Sequence, residues 1–122
     1  MLESTNRSLR VLCLEDNPLI AFHLEQLIED LGHVPMLTLS SFSELKKVSE
    51  LSADCALIDI DLVDGRTGPE AAKWLRGKGV PSIFVTGQRE LAEDYADRVV
   101  GILSKPISQE DLEEALSMIK PN

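Results

Sequence analysis

Apolar residues come along this chain in two alternating rhythms. Five short, nearly continuous runs have the length and composition of buried strands: "LRVLCLE" (9–15), "VPMLTL" (34–39), "CALIDI" (55–60), "PSIFVT" (81–86) and "VVGILS" (99–104). Between them, apolar residues recur every three or four positions. In 17–32, Ile20, Leu24, Leu27, Ile28 and Leu31 share one helical face, with Pro18 in the first turn and Gly32 past the end. Ser41 and Glu44 form a capping-box pattern that opens a short helix through about Leu51. A further helix is predicted from about Gly68 to Lys78, ended by Gly79. "LAEDYADR" (91–98) is a weak, short helical stretch, and Ser108 with Asp111 caps a last helix in "QEDLEEALSMIK" (109–120).

Strands alternating with helices in this way imply a parallel sheet covered on both faces. The expected architecture is α/β: a flavodoxin-like, doubly wound five-stranded parallel sheet in the order 2-1-3-4-5, with a short or irregular fourth helix. Right-handed crossovers then place the topological switch between strands 1 and 3. Function is expected in the crevice at the carboxyl ends of the strands.

Composition narrows the picture. The chain has 122 residues, the size of one domain, with its core expected at about 9–119. No apolar stretch approaches a membrane span, and the opening "MLESTNRSLR" lacks an apolar region of signal-peptide length. The two cysteines, Cys13 and Cys55, lie inside apolar runs and read as buried free thiols of a reducing, cytoplasmic compartment. A net charge of −9, with its basic residues scattered, argues against a nucleic-acid surface. The expected partners are proteins or small molecules, and neither nucleic acid nor membrane.

Chemistry collects at the strand ends. The first strand ends in Glu15-Asp16, the third in Asp59, the fourth in Thr86-Gly87 and the fifth in Ser104-Lys105-Pro106. Strands 1 and 3 are neighbours in the expected order, so Glu15, Asp16 and Asp59 should converge. Two unit charges about 4 Å apart repel by roughly 4 kcal/mol at an effective dielectric near 20. Protonation, Lys105 or a divalent cation could each relieve that repulsion. A small set of acidic oxygen donors suits Mg²⁺ (or Mn²⁺), which keeps waters for an incoming phosphoryl group. Phosphoryl transfer to a carboxylate needs in-line positioning and donors against the equatorial oxygens. Asp59 fits the nucleophile, with Lys105 and the Thr86 hydroxyl as donors.

The set as a whole resembles the receiver domains of two-component response regulators, the CheY-like family, over about Leu9 to Ile119. The resemblance rests on the acidic pair Glu15-Asp16, Asp59 after the third strand, Thr86-Gly87 after the fourth and Lys105-Pro106 after the fifth. It implies that Asp59 accepts a phosphoryl group from a histidine kinase or a histidine phosphotransfer protein. It also implies Mg²⁺ held by Asp16, Asp59 and the main-chain carbonyl of Asp61, with Glu15 acting through a water. A cis peptide between Lys105 and Pro106 is implied as well. Such a chain would phosphorylate and dephosphorylate itself but would not be an enzyme acting on other molecules. With nothing after Asn122 resembling a DNA-binding output, signalling is expected through contact with a downstream protein.

The chain departs from the family pattern in three places. Ile102 stands where many receivers carry an aromatic switch residue. The stretch from Thr86 to Lys105 is short. The loop after Asp59 reads "DLVDGRTG" without the common Met-Pro, and in this it resembles a subset of stand-alone or stress-signalling receivers. Asp61 should flank an attacking water, and Asp64 is expected in the turn leading to the third helix. Two other readings compete. "LIDIDLVDG" is similar to the nucleophile motif of haloacid-dehalogenase-type phosphatases, with Asp61 as general acid, but there the metal acids follow the lysine. The other is a receiver-fold binding module that is not phosphorylated. An EF-hand is excluded by Val63 and Asp64 at the wrong positions. His23 and His33 lack metal-spaced partners, and Trp74 and Phe84 read as core.

Overall fold

A computed structural model of the chain describes residues 8–121. Residues 1–7 and Asn122 lie outside the described residues. Five strands, β1 (Arg10–Leu14), β2 (Val34–Leu39), β3 (Cys55–Ile58), β4 (Ser82–Thr86) and β5 (Gly101–Ser104), form one parallel sheet. Their order is β2-β1-β3-β4-β5, the flavodoxin-like order expected from the sequence. The helices are α1 (Pro18–Asp30), α2 (Phe42–Lys46), α3 (Gly68–Gly77), α4 (Arg89–Glu93) and α5 (Gln109–Ser117).

Successive strand residues point to opposite faces, so one sheet serves two cores. Val11, Cys13, Leu57, Ile83 and Val85 face α1 and α5, where Leu24, Ile28, Leu112 and Leu116 meet them. Leu12, Leu14, Ala56, Ile58 and Phe84 face the other side, against Leu45, Ala71, Leu75 and Ala92 of α2, α3 and α4. Burial on both faces accounts for the continuous apolar runs. Cys13 and Cys55 are free thiols in the first of these cores. Burial pushes both up in pKa, Cys55 to about 12, so neither is a ready nucleophile.

Several boundaries differ from the sequence reading; β5 begins at Gly101 instead of 99, and the fourth helix at Arg89 instead of 91. α2 stops at Lys46 instead of about Leu51; Leu45 is its sole buried residue, and Leu51 packs against the same core from outside the helix. β3 ends at Ile58 rather than 60. The Asp59 amide still donates to Leu14 O at 2.9 Å, but Ile60 turns its carbonyl away to accept from Gly68 N. α5 closes at Ser117, before the predicted Lys120. The weak fourth helix is five residues long, followed by a 3-10 turn over Ala96–Arg98.

Candidate functional site

The carboxyl ends of β1, β3, β4 and β5 bring the expected residues to one place. Glu15 is the last residue still tied to the sheet, its amide donating to Leu39 O at 2.9 Å. Its side chain folds inward and is only 1% exposed. Glu15 Oε2 accepts from Asn17 N at 3.1 Å, while Asn17 Oδ1 caps α1 by accepting from Leu19 N and Ile20 N. The loop is thereby braced at both ends, and Asp16 between them is left exposed.

Asp59 follows β3 directly. From β5, the Lys105 amide donates to Thr86 O at 2.9 Å, and the peptide to Pro106 is cis. The Lys105 ammonium stands 3.1 Å from Asp59 Oδ2 and 3.0 Å from Glu15 Oε1. The Asp59 contact is a hydrogen bond. The Glu15 contact has the distance of an ion pair without hydrogen-bond angles, so buried Oε1 keeps its acceptor capacity.

Electrostatics set the protonation states. Burial raises the Glu15 pKa, and the Asp59 charge adds to it against the opposing pull of Lys105 and Asn17 N. Burial also works against the Lys105 ammonium. The close negative charges of Glu15 and Asp59, with the hydrogen bond to Asp59, together outweigh it and hold Lys105 above the ordinary lysine value. One carboxylate oxygen each from Glu15, Asp16 and Asp59 lie within 4.8 Å of one another. One ammonium cannot neutralise three carboxylates. A set of hard oxygen donors with one buried oxygen lacking a hydrogen bond, open to solvent at Asp16, fits a divalent cation that retains waters.

Thr86 is 2% exposed, and its Oγ accepts from Gln88 N at 2.8 Å. Its lone pair is thus engaged by the loop, which leaves the hydroxyl proton for another acceptor. Ile102 is half-buried and packs on the α3–α4 side of the sheet.

The carboxylates of the "LIDIDLVDG" stretch separate. Asp61 is not part of the acidic cluster among the described residues: Oδ1 accepts from Arg66 Nε and Oδ2 from Gln88 Nε2, each at 3.0 Å. The Arg66 hydrogen bond, helped by Gln88, keeps Asp61 below the usual carboxylate range. Both Asp61 oxygens are engaged as acceptors, an arrangement that suits the ionised form and not the proton donor of the haloacid-dehalogenase reading. Asp64 does lie in the turn before α3, where Thr67 Oγ donates to it at 2.7 Å. It also accepts from Phe42 N and Ser43 N, the first amides of α2. The turn itself needs Gly65 at φ 101, where Leu62 and Gly65 exchange backbone hydrogen bonds of 2.8 and 3.0 Å.

Arg66, Gln88 and Arg89 belong to the site's surroundings, and sequence reasoning passed over them. Neither hydrophobic rhythm nor motif marks them; the one signal was the glycine turn that folds Arg66 back on Asp61. Among the described residues neither histidine belongs to the acidic cluster. His33 Nδ1 accepts from Leu9 N at 3.0 Å, and His23 lines a small apolar cavity of about 270 Å³ with Ile20, Pro106 and Ile107.

Comparison with known proteins shows the family to which this fold belongs. Residues 11–117 match the family model of the response regulator receiver domain. The phyllosphere-induced regulator PhyR of Methylorubrum extorquens is 40% identical over 83 residues, 66% of this chain and 31% of its own length. The sensor histidine kinase GacS of Pseudomonas protegens is 27% identical over 121 residues, 92% of this chain and 13% of the kinase. The chain thus spans a third or less of these two relatives. Among solved structures, the receiver domain of PhyR from Erythrobacter litoralis superposes with a TM-score of 0.80 at 30% identity, covering 94% of this chain and 95% of that one.

Proposed function

This chain belongs to the response regulator receiver domain family, and on that premise we propose that Asp59 is its phosphoacceptor. The reading is carried by one observation: Lys105 joins Asp59 to buried Glu15 in a cluster of three carboxylates that a single ammonium cannot balance. The donor would be a histidine kinase or a histidine phosphotransfer protein. The whole chain, 1–122, is read as one receiver domain with its core at about 9–119.

In the reaction an Asp59 oxygen attacks the phosphorus of a phosphohistidine. The O–P bond forms as the N–P bond breaks, its electron pair returning to the imidazole, which takes up a proton. The Lys105 ammonium stands ready to donate to one equatorial oxygen and the Thr86 hydroxyl to another. Asp16, Asp59 and the main-chain carbonyl of Asp61, with Glu15 through a water, would hold Mg²⁺ (or Mn²⁺), which supplies positive charge against the phosphoryl oxygens. Receiver domains are signalling domains; this one is read as promoting its own phosphorylation and dephosphorylation and no other turnover.

The surroundings favour a protein donor. Leu19 and Phe22 of α1, next to the acidic loop, are 81% and 61% exposed, an apolar offer to a docking helix. Among the described residues no helix is long and apolar enough to cross a membrane, and the net charge of −9 disfavours direct contact with nucleic acid. A cytoplasmic setting and output through a downstream protein complete the proposal.

The test is incubation with acetyl phosphate or phosphoramidate and Mg²⁺, read by intact mass. The wild type should gain one alkali-labile phosphoryl group and Asp59→Asn none. Folded wild-type protein that gains nothing would overturn the assignment.

A further inference from the structure

We propose that Arg89 carries the phosphorylation state of Asp59 to the β5 edge of the sheet, the part that Ile102 cannot play. The proposal rests on Asp59 being the phosphoacceptor. A short polar path leads from the site to that edge. Thr86 Oγ accepts from Gln88 N at 2.8 Å, and the next residue, Arg89, reaches from α4 to β5. There its Nη1 donates to Ile102 O at 3.2 Å and to Ser104 Oγ at 3.1 Å. The guanidinium therefore fastens α4 to the outermost strand through a main-chain carbonyl, a group that an edge strand otherwise offers to solvent.

α4 is built to respond. It has five residues, no side-chain cap at Gln88 and one buried residue, Ala92. An isolated helix of that length does not hold itself together in water, so its position depends on its few tertiary contacts. The Thr86–Gln88 bond sits at its start and the Arg89 clasp in its first turn. If the Thr86 hydroxyl turns to donate to a phosphoryl oxygen on Asp59, its oxygen moves relative to Gln88 N. That shift displaces the residue that carries the clasp.

The released side chain has a second place to go. Arg89 borders a groove of about 380 Å³ between α4, β5 and α5, across which stand Asp111 and Glu114. Docked on the Ile102 carbonyl, Arg89 also has its Nε 3.8 Å from Glu93 Oε2 on its own helix; leaving that position to pair with Asp111 and Glu114 would give the second of the two discrete arrangements that a coupling element needs. Ile102 has no polar tip and no flat ring, and it lies half-buried in the core, so it offers no comparable pair of states.

The experiment is a ¹H–¹⁵N correlation spectrum of the full chain with and without Mg²⁺ and beryllofluoride, a phosphoryl mimic. Wild-type amides of residues 59–61 and 86–88 should shift together with those of 101–104 and with the Arg89 Nε–H. In Arg89→Ala, an exposed change, the shifts at 59–61 and 86–88 should persist while those at 101–104 fall at least about twofold. Ser104→Ala, which removes one acceptor, should give a smaller loss of the same kind. Retention of the full β5 response in Arg89→Ala overturns the proposal. A wild type that responds at 59–61 but not at 101–104 overturns it as well, and leaves the phosphoacceptor intact. A wild type silent at 59–61 sinks the phosphoacceptor assignment itself.

Discussion

A methyl group placed on Gly68 would stand 2.1 Å from the Asp59 carbonyl oxygen, 2.7 Å from Ile60 Cα and 2.9 Å from the Ile60 carbonyl oxygen. All three are main-chain atoms, so no side chain can swing aside to make room. The approach is held by the Gly68 amide, which donates to Ile60 O at 3.0 Å. Gly68→Ala must therefore push α3 away from the segment that carries Asp59. Replacing a helical glycine with alanine ordinarily gains up to about 1 kcal/mol. Overpacking costs about 1–3 kcal/mol, and contact with rigid backbone belongs at the upper end. The expected net loss is about 1–2 kcal/mol, or about 3–10 °C in melting temperature for a domain of this size. Gly77, in the same helix, would have nothing within 4 Å of an added methyl group, so Gly77→Ala should be neutral or stabilising by up to about 1 kcal/mol. Thermal and urea unfolding of both variants measure the contrast. Folded Gly68→Ala should also accept phosphate from acetyl phosphate more slowly, since the Asp59 main chain has moved. If Gly68→Ala is as stable as Gly77→Ala, the close approach is not real and the reasoning fails.

Other outcomes follow from the same geometry. Lys105→Met removes the cation that competes with a metal for the acidic cluster. A unit charge about 5 Å away is worth about 1–3 kcal/mol at effective dielectrics between water and a protein surface, so calorimetric Mg²⁺ binding should tighten several-fold or more; weaker binding would refute the cluster as the metal site. Asp61→Asn and Asp61→Lys break the contact with Arg66 and should change the rate at which phosphorylated protein loses its phosphoryl group while labelling persists; an unchanged rate would show that Asp61 has no part in it. His33 Nδ1 accepts from Leu9 N, and burial lowers its pKa from 6.5, so the unfolded chain binds the proton more readily than the folded one. That contribution to stability is complete above about pH 6.5 and declines as the pH falls toward the folded-state pKa. Melting temperatures from about pH 8 to about pH 5 should show the wild type losing ground to His33→Asn, which keeps an acceptor but does not titrate; parallel curves would argue against it.

How far the site could be read from sequence depends on what each residue hangs from. Asp59 and Lys105 are 46 residues apart, yet sequence alone places both at the site. Each follows a strand whose neighbours are dictated by topology, and Thr86 pairs with Ser104, one residue before the lysine. The same logic holds for Glu15, which follows β1 beside β3. Hydrophobic rhythm fixes strand positions, strand order fixes which ends are adjacent, and the chemistry is attached to those ends.

Where one loop meets another, that logic has no purchase. Asp64 caps α2 by accepting from Phe42 and Ser43, some twenty positions earlier, a contact that depends on how two loops fold against each other. Asp61 finds Arg66 through the Gly65 turn and Gln88 through the β4–α4 loop, while Arg89 finds a main-chain carbonyl, which carries no sequence signal at all. The residues that the strand ends supply are those the chemistry cannot do without, so their types are constrained by phosphoryl transfer itself. Loop-to-loop contacts face no such constraint and can vary without losing the reaction. Control of phosphoryl lifetime and of output is therefore expected in the Asp61–Arg66–Gln88 contact and the Arg89 clasp; of these residues sequence alone pointed to Asp61, and it left Arg66, Gln88 and Arg89 unread.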